Sequence, residues 1–371
     1  MGRLGLGPRS PLGHRRFSLV ALKMVAVLVL AALFATACSQ GPTTPIGTVA
    51  PAGSMITGRY DGTATLLQDG RVLFTGGDSN QGYASLASAE LYDPTTGTFI
   101  ATGSMSVARD YHTATLLQDG RVLIVGGSGD ASTSAELYDP KTGTFSATGL
   151  MATPRSRQTA TLLADGRVLI AGGGGGMASA ELYDPKTGKF SATGSMTTPR
   201  VDDVATLLAD GRVLIAGGKP PHKSAGGVNS AELYDPKSGT FRATPPMPGV
   251  FSGQGAVRLK DGRVLLVDGT TAYLYDPKSG AFSFTGSAPV NSNHTHVGLL
   301  PDGRAFVMPE GAGAETPADF ELYDPNSGTF TETLREVSEM SFTTTTVLKD
   351  GRVLIAGSQD ANGGRAYLYT P

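Results

Sequence analysis

Residues 63–99 read TATLLQDGRVLFTGGDSNQGYASLASAELYDPTTGTF, and residues 113–145 repeat this pattern closely as TATLLQDGRVLIVGGSGDASTSAELYDPKTGTF. Each copy holds β-rich runs separated by an Asp-Gly turn, a variable loop and an Asp-Pro turn, and a short fourth run follows. Asp-Gly between two such runs is a strong hairpin signal, because a type I′ turn needs positive φ at both central residues. In the second turn, Pro presets φ at the start and Gly accepts the left-handed position. Each copy is therefore predicted to form four antiparallel strands.

The tripeptide Asp-Gly-Arg marks seven such units. It begins at Asp69, Asp119, Asp165, Asp210, Asp261, Asp302 and Asp350. Periods of about 40–50 residues are typical of propeller blades. The 51 glycines and 17% charged residues also favour short strands joined by turns. The sequence therefore predicts an all-β fold, a seven-bladed β-propeller of four-stranded blades, over residues 47–371.

The seventh unit stops after its third strand, at AYLYTP in residues 366–371. The missing strand is found near the other end of the sequence, because GTVAPAGSM in residues 47–55 aligns with GTFSATGLM in residues 143–151. We expect this N-terminal segment to supply the outer strand of the seventh blade. Closing the ring in this way removes an open sheet edge that would invite aggregation.

The repeat resembles the kelch family in two features: a Gly pair ends the second strand, as at Gly76, and a Tyr precedes the second turn, as at Tyr92. Phe145 and its equivalents replace the Trp common in kelch fourth strands, and we expect them to fill the wedge between blades. Kelch-type rings include the copper-radical sugar oxidases, whose cofactor needs a Cys cross-linked to Tyr. The chain has one Cys, Cys38, outside the repeats. We therefore expect a galactose-oxidase-type propeller without its copper site and without a cofactor. The sialidase signature is also absent, and the chain has no Trp.

The first 37 residues have the features of an export signal. They contain basic residues and no acid, then an apolar run over residues 24–35, then Thr36, Ala37 and Cys38. Small residues before a lone Cys resemble the lipobox of bacterial lipoproteins, although Ala35 stands where Leu is usual. We predict a signal peptide over 1–37, lipidation of Cys38 and a tether over 38–46. The protein would then be exported and lipid-anchored at the bacterial cell envelope. An ordinary signal peptide is the alternative, and Arg15-Arg16-Phe17 also weakly resembles a twin-arginine signal.

The charge of the chain argues against nucleic acid as a partner. The whole chain has a formal net charge of −2, and removing residues 1–37 with their five basic residues would lower it to −7. An acidic chain with no basic run is a poor ligand for a polyanion. Membrane contact is expected through the lipid anchor only.

The two ends of each blade differ in how strictly they repeat. The Asp-Gly and Asp-Pro turns are nearly identical in every unit and share one face, here called the constant face. The loops between strands two and three and the connections between blades share the other, here called the variable face. Because loops on a rigid scaffold carry specificity, binding is expected there. The candidate binding residues are Tyr111, His112, Arg157, Asp202, Asp203, His294, His296 and Glu310.

An arginine stands ten residues before the Asp-Gly turn in the first four blades, and the same blades carry a Glu in strand three. The pairs are Arg59 with Glu90, Arg109 with Glu136, Arg155 with Glu181, and Arg200 with Glu232. A Glu between packed sheets needs a partner, so we predict an ion pair within each blade. Tyr111, Arg157, Asp202 and Asp203 have no such role in the pattern. Substituting loop residues such as Arg157 or Asp203 is therefore expected to change stability by no more than about 0.5 kcal/mol.

The sixth blade departs most from the repeat. His294 and His296 are two residues apart on a predicted strand, and Pro309-Glu310 replaces the Gly pair. Two His and a carboxylate could bind zinc or transfer protons, but no third ligand is fixed by spacing, and no metal site is predicted. The sequence favours a binding or interaction module for a protein or glycan. The alternative is a carbohydrate-active enzyme, such as a sugar isomerase or hydrolase-like protein, with acid–base residues in the channel mouth.

Overall fold

Each repeat forms the four strands that its turns predict. In the computed structural model, residues 47–79, 84–174, 177–220, 226–288, 295–309, 320–333, 341–360 and 363–371 are described. These residues build seven four-stranded antiparallel sheets. Each innermost strand packs against the innermost strands of both neighbouring sheets, and the seventh contacts the first. The result is a closed seven-bladed β-propeller, with blades numbered here in the order of their Asp-Gly turns.

The strands of the first three blades run from the inner to the outer edge in chain order. They are β2 (Thr63–Leu66), β3 (Val72–Thr75), β4 (Ala89–Asp93), β5 (Thr98–Ala101), β6 (Thr113–Leu116), β7 (Val122–Val125), β8 (Ala135–Asp139), β9 (Thr144–Ala147), β10 (Thr159–Leu162), β11 (Val168–Ala171), β12 (Ala180–Asp184) and β13 (Lys189–Ala192). A short 3₁₀ turn, Gly129–Ala131, lies between β7 and β8.

The remaining blades follow the same order, except that the outer strand of blade seven is β1. The strands are β14 (Val204–Leu207), β15 (Val213–Ala216), β16 (Ala231–Asp235), β17 (Thr240–Ala243), β18 (Gly255–Arg258), β19 (Val264–Asp268), β20 (Thr271–Asp276), β21 (Ala281–Gly286), β22 (Thr295–Leu299), β23 (Ala305–Pro309), β24 (Glu321–Asp324), β25 (Thr329–Glu332), β26 (Ser341–Val347), β27 (Val353–Asp360), β28 (Gly363–Thr370) and β1 (Thr48–Met55).

The N-terminal strand closes the ring, as predicted. β1 pairs antiparallel with β28, with Thr48 opposite Thr370 and Met55 opposite Gly364. Ala52 and Met55 are buried against blade one. The seventh sheet therefore has the order β1-β28-β27-β26, and its outer strand precedes blade one along the chain.

The core lies between blades. Seven apolar clusters each combine side chains of two neighbouring blades, as Leu73 and Leu91 of blade one do with Ile124 of blade two. Phe145 joins this cluster and packs on Tyr138 at a centroid distance of 4.8 Å, so the predicted aromatic wedge is confirmed. In the part of the chain that the structure describes, no helix has the length and apolar character needed to cross a membrane.

Candidate functional site

The constant face is held together by its repeated turns. Arg121 donates to the carboxylate of Asp119 through Nε and Nη2, at 2.9 and 2.7 Å. In blade one the equivalent Arg71 also donates to the carbonyl of Pro140 in blade two, at 3.3 Å. The Asp-Gly-Arg tripeptide therefore fixes its own hairpin and, in this blade, ties one blade to the next.

The predicted ion pairs are present in blades one to four. Nη2 of Arg109 lies 2.8 Å from Oε1 of Glu136, and both side chains are buried. Arg109 also donates to the carbonyls of Gly126 and Ser134. Glu136 accepts the backbone N–H of Ser106 at 2.9 Å, from the connection that enters the blade. The equivalent pairs lie 2.6 to 3.3 Å apart. Because each pair is enclosed and anchors backbone on both sides, these arginines have a structural role.

A second repeated position lies two residues after the arginine of each ion pair and eight residues before the Asp-Gly turn. It has a left-handed backbone in the first five blades. The residues are Asp61, Tyr111, Arg157, Asp202 and Gly253, with φ of 50°, 51°, 55°, 58° and 86°. We call the four non-glycine members the left-handed collar.

Backbone hydrogen bonds join the collar residues of neighbouring blades. The N–H of Tyr111 donates to the carbonyl of Asp61 at 3.1 Å, and the N–H of Arg157 donates to the carbonyl of Tyr111 at 2.9 Å. The N–H of Asp202 completes the series with a longer bond of 3.4 Å to the carbonyl of Arg157. The collar thus follows the channel mouth from blade one to blade four.

The side chains of the collar are connected in the same order. Burial, followed by the hydrogen bond of its hydroxyl to the carboxylate of Asp61, raises the pKa of the Tyr111 phenol. The guanidinium carbon of Arg157 stands 4.0 Å from the centre of the Tyr111 ring, a cation–π contact. Nη1 of Arg157 lies 3.7 Å from Asp202, whose carboxylate also accepts Nζ of Lys219 at 3.3 Å. Arg157 remains 43% exposed, so its free edge can accept a ligand.

Two further aspartates, Asp78 and Asp110, lie beside the collar residue Asp61 at blades one and two. Burial, followed by the charges of Asp110 and Asp61, raises the pKa of Asp78 to about 6. Asp110 is itself buried and accepts a hydrogen bond from Ser85 at 3.2 Å. This side of the mouth is therefore acidic, whereas Arg157 and Lys219 place positive charge above blades three and four.

The structure corrects the expectation that His112 and Asp203 are exposed loop residues. They are only 6% and 7% exposed, and each turns towards the preceding blade. Nε2 of His112 is hydrogen bonded to the hydroxyls of Thr63 and Thr75, at 3.2 and 3.1 Å. Gln158 holds the equivalent position in blade three and donates to the carbonyl of Val125 at 2.8 Å. We call this row of inward-turned residues the inter-blade seam.

Asp203 lies in the seam with no hydrogen-bond donor placed for its carboxylate among the described residues. Neither carboxylate oxygen has a hydrogen bond of normal geometry, and both are enclosed. Thr159 lies nearby, but its hydroxyl faces the carbonyl of Ala171 at 3.4 Å. Burial raises the pKa of the Asp203 carboxyl to about 7, against the opposing effect of Arg200. For His112, burial and then the nearby arginines lower the pKa to about 3, so the ring is neutral.

A cavity of about 310 Å³ lies in the channel beside the seam. Its lining includes Asp203, Gln254, Thr295 and His296. Oε1 of Gln254 accepts the hydroxyl of Thr295 at 2.9 Å and the N–H of Gly269 at 3.2 Å. Hydrogen bonds within the protein thus occupy the Gln254 oxygen on this wall of the cavity.

Cys38, His294 and Glu310 lie outside the described residues. The hypothesis of a metal or acid–base site around the two His of blade six is therefore untested. Within the described ranges, no group of three or more His, Cys, Asp or Glu is placed to hold a metal ion.

Of the predicted candidates, the structure brings Tyr111, Arg157 and Asp202 together at the mouth and places His112 and Asp203 in the seam. Sequence reasoning missed the link of Asp61 and Lys219 to this group. For Asp61 the available signal was its position, eight residues before the Asp-Gly turn, as in the other collar residues. Lys219 follows a Gly pair in a loop of variable length, where no repeat marks it.

Comparison with known proteins supports the fold alone. No family model matches the chain, and no curated protein matches it significantly. Among solved structures, it is similar to a fungal alcohol oxidase of the AA5 family, in complex with copper, at 18% identity and a TM-score of 0.70. That match covers 88% of this chain and 76% of the oxidase. It is also similar to YjhT, at 13% identity and a TM-score of 0.58, over 76% of this chain and 99% of YjhT.

Proposed function

We propose that this protein is an exported, lipid-anchored, kelch-type propeller that binds a protein or glycan through its variable face at the bacterial cell envelope. The observation that carries the proposal is the left-handed collar. Four consecutive blades present three kinds of side chain, Asp, Tyr and Arg, from the same strained backbone position, whereas the turns of the opposite face repeat.

The strain is informative because glycine would avoid it. A left-handed backbone destabilises a residue with a Cβ by about 1–2 kcal/mol, and bulky residues such as Tyr and Arg adopt it rarely. Gly253 shows that the same position accepts glycine in blade five. Strained residues of this kind cluster at functional sites. We therefore assign Tyr111 and Arg157 a role that depends on their side chains.

The chemistry of the collar suits a neutral or mixed polar ligand. An aromatic face, a stacked guanidinium and two carboxylates offer donors, acceptors and an apolar surface in one place. Glycan hydroxyls and peptide groups are recognised by such combinations. Protein and glycan ligands both remain within the proposal, and arrays of each would separate them.

The binding test compares Arg157→Gly with Arg121→Ala, using ligands found on a glycan array or a peptide array. Arg157→Gly removes the side chain and relieves the backbone, so it should weaken binding by about tenfold or more, the equivalent of about 1.4 kcal/mol. Its melting temperature should stay level or rise. Arg121→Ala alters a partly exposed arginine on the constant face and should leave binding unchanged. A clear fall in stability with Arg157→Gly, or unchanged binding, would contradict the assignment.

The anchor has its own test. Cys38→Ala should move the protein from the membrane fraction to the soluble fraction without changing its melting temperature, because the lipid contributes anchoring and no core. Unchanged membrane fractionation would refute lipidation at Cys38.

A carbohydrate-active enzyme is the second candidate, favoured by a carboxyl with a pKa near 7 beside a polar cavity. The enclosed oxygens of Asp203 argue against it, because a substrate could not reach them without movement of the seam. Turnover of any array-positive glycan that is lost in Asp203→Asn, with binding retained, would favour the enzyme over the binding module.

A further inference from the structure

The point where the chain enters the ring is fixed at the constant face. β1 begins at Thr48, opposite Thr370, and runs towards the variable face. Gly47 precedes it with φ of +92°, and a Cβ there would come within 2.5 Å of the carbonyl oxygen of Thr370. The backbone at this position is therefore closely packed against β28 at the constant-face end of blade seven.

The distance from this point to the proposed lipid is short. Nine Cα steps separate Cys38 from Gly47, and a fully extended chain covers at most about 3.3–3.6 Å per residue, or about 30 Å. The two faces are themselves about 25 Å apart, because strands of four or five residues with a turn at each end rise about 3.3 Å per residue. The tether can therefore bring the variable face to the membrane only when it runs almost fully extended along the outer edge of blade seven, whereas the constant face reaches the membrane without any such extension.

The charges of the two faces agree with this placement. On the constant face, each Asp of an Asp-Gly-Arg turn is paired with its own arginine, and these pairs are neutral. Six Asp-Pro turns each add an aspartate, and the turns of this face also carry six lysines, Lys141, Lys186, Lys237, Lys260, Lys278 and Lys349, so the charges of its described turns balance. At the mouth, four aspartates, Asp61, Asp78, Asp110 and Asp202, outnumber the cations Arg157 and Lys219. An anionic leaflet would therefore repel the variable face more than the constant face.

We propose that membrane contact goes beyond the lipid anchor that the sequence alone led us to expect: the constant face of the propeller lies on the lipid headgroups, and the variable face points away from the membrane. The proposal rests on the lipid anchor of the proposed function. It identifies the partner of the constant face as the surface of the anchoring membrane, and it leaves the collar open to ligands arriving from the aqueous side.

The test uses two single-cysteine variants of the full-length lipidated protein, Lys141→Cys and Asp130→Cys. Both sites are exposed and belong to blade two, but Lys141 lies in an Asp-Pro turn and Asp130 in the 3₁₀ turn of the variable face. Each variant is labelled with a fluorophore and placed on vesicles of phosphatidylethanolamine and phosphatidylglycerol that carry a headgroup-attached contact quencher. Native Cys38 does not react with the label when it is lipidated.

Quenching should be at least about twofold stronger at Lys141→Cys, because contact quenching disappears over the roughly 25 Å between the faces. Equal quenching, or stronger quenching at Asp130→Cys, overturns the orientation while retention on the vesicles still supports the anchor. Failure of both variants to stay on the vesicles overturns the anchor itself and the orientation with it.

A variant with a longer tether provides the control. Inserting about 30 Gly and Ser residues after Ser39 gives a flexible segment with a root-mean-square length of about 30 Å. The protein should then remain on the vesicles, and the difference between the two labels should shrink. An unchanged difference would show that the short tether does not set the orientation, and it would refute that step of the inference.

Discussion

Replacing Asp203 with Asn should stabilise the propeller at neutral pH and remove part of its pH dependence. Asp203 occupies in blade four the seam position that Gln158 occupies in blade three. There Gln158 donates a hydrogen bond to the carbonyl of Val125 in blade two. Thr113 pairs with Val125 in blade two at the position where Thr159 pairs with Ala171 in blade three. Just as the carbonyl of Val125 lies opposite Gln158, the carbonyl of Ala171 therefore lies opposite Asp203. A carboxylate cannot donate to that carbonyl, but an Asn amide of the same size can.

The pH range follows from the direction of the shift. Below about pH 4 the carboxyl is protonated in both the folded and the unfolded chain. Between pH 4 and pH 7 the folded chain keeps a proton that the unfolded chain has released, so the free energy of unfolding falls as pH rises. Above pH 7 the loss is complete, because burial raises the folded pKa from 3.8 to about 7.

The size of the effect follows from the same shift. Three pKa units correspond to an upper limit of about 4 kcal/mol at 1.36 kcal/mol per unit. Both oxygens are enclosed, so little screening by solvent is expected, and a gain of about 2–4 kcal/mol at pH 8 is the expected outcome for Asp203→Asn. At pH 4 the variant and the parent should be nearly equal.

Urea unfolding of residues 47–371, followed by far-ultraviolet circular dichroism between pH 4 and pH 8, measures the difference. Asp130→Asn is the control, because it changes an exposed carboxyl and should stay within about 0.5 kcal/mol of the parent. If Asp203→Asn is less stable than the parent at pH 8, or if the gap between them does not widen with pH, the carboxyl is not held neutral by the seam.

Three further predictions follow from the seam, the ion pairs and the ring closure. Between pH 7 and pH 5 the parent should lose about 2 kcal/mol of its free energy of unfolding, because the unfolded His112 binds a proton and the buried ring stays neutral. His112→Gln should remove this loss, and equal urea midpoints for variant and parent at pH 5 would contradict the prediction. Arg109→Ala should destabilise the folded protein by about 3–5 kcal/mol, because it leaves Glu136 buried and unpaired. Arg121→Ala removes a partly exposed pair and should cost less than about 1 kcal/mol of stability, so similar losses of the two variants in urea unfolding would refute the distinction. Deleting residues 39–55 should lower the melting temperature by many degrees because blade seven loses β1, and a change of only a degree or two would refute the closure.

The sequence alone was sufficient for the blade. The Asp-Gly turn at Asp69 and the Asp-Pro turn at Asp93 specify their hairpins through local backbone preferences, so seven copies predict seven sheets. The match between residues 47–55 and 143–151 located the closing strand, because both segments meet the same local requirements. The Arg109–Glu136 pair was also predictable, since both partners recur in the same blades and a buried Glu needs a cation.

Only the tertiary structure placed Asp203 and His112 in the seam and gave Tyr111 and Arg157 a common left-handed backbone. These features depend on how neighbouring blades approach one another, and no period within a blade encodes that distance. Asp203 is enclosed because blade three supplies the wall on its other side, and Arg157 stacks on Tyr111 because their blades are adjacent in the ring. The sequence determines the strands and turns because their causes are local, whereas burial and pairing across blades arise only once the ring has closed.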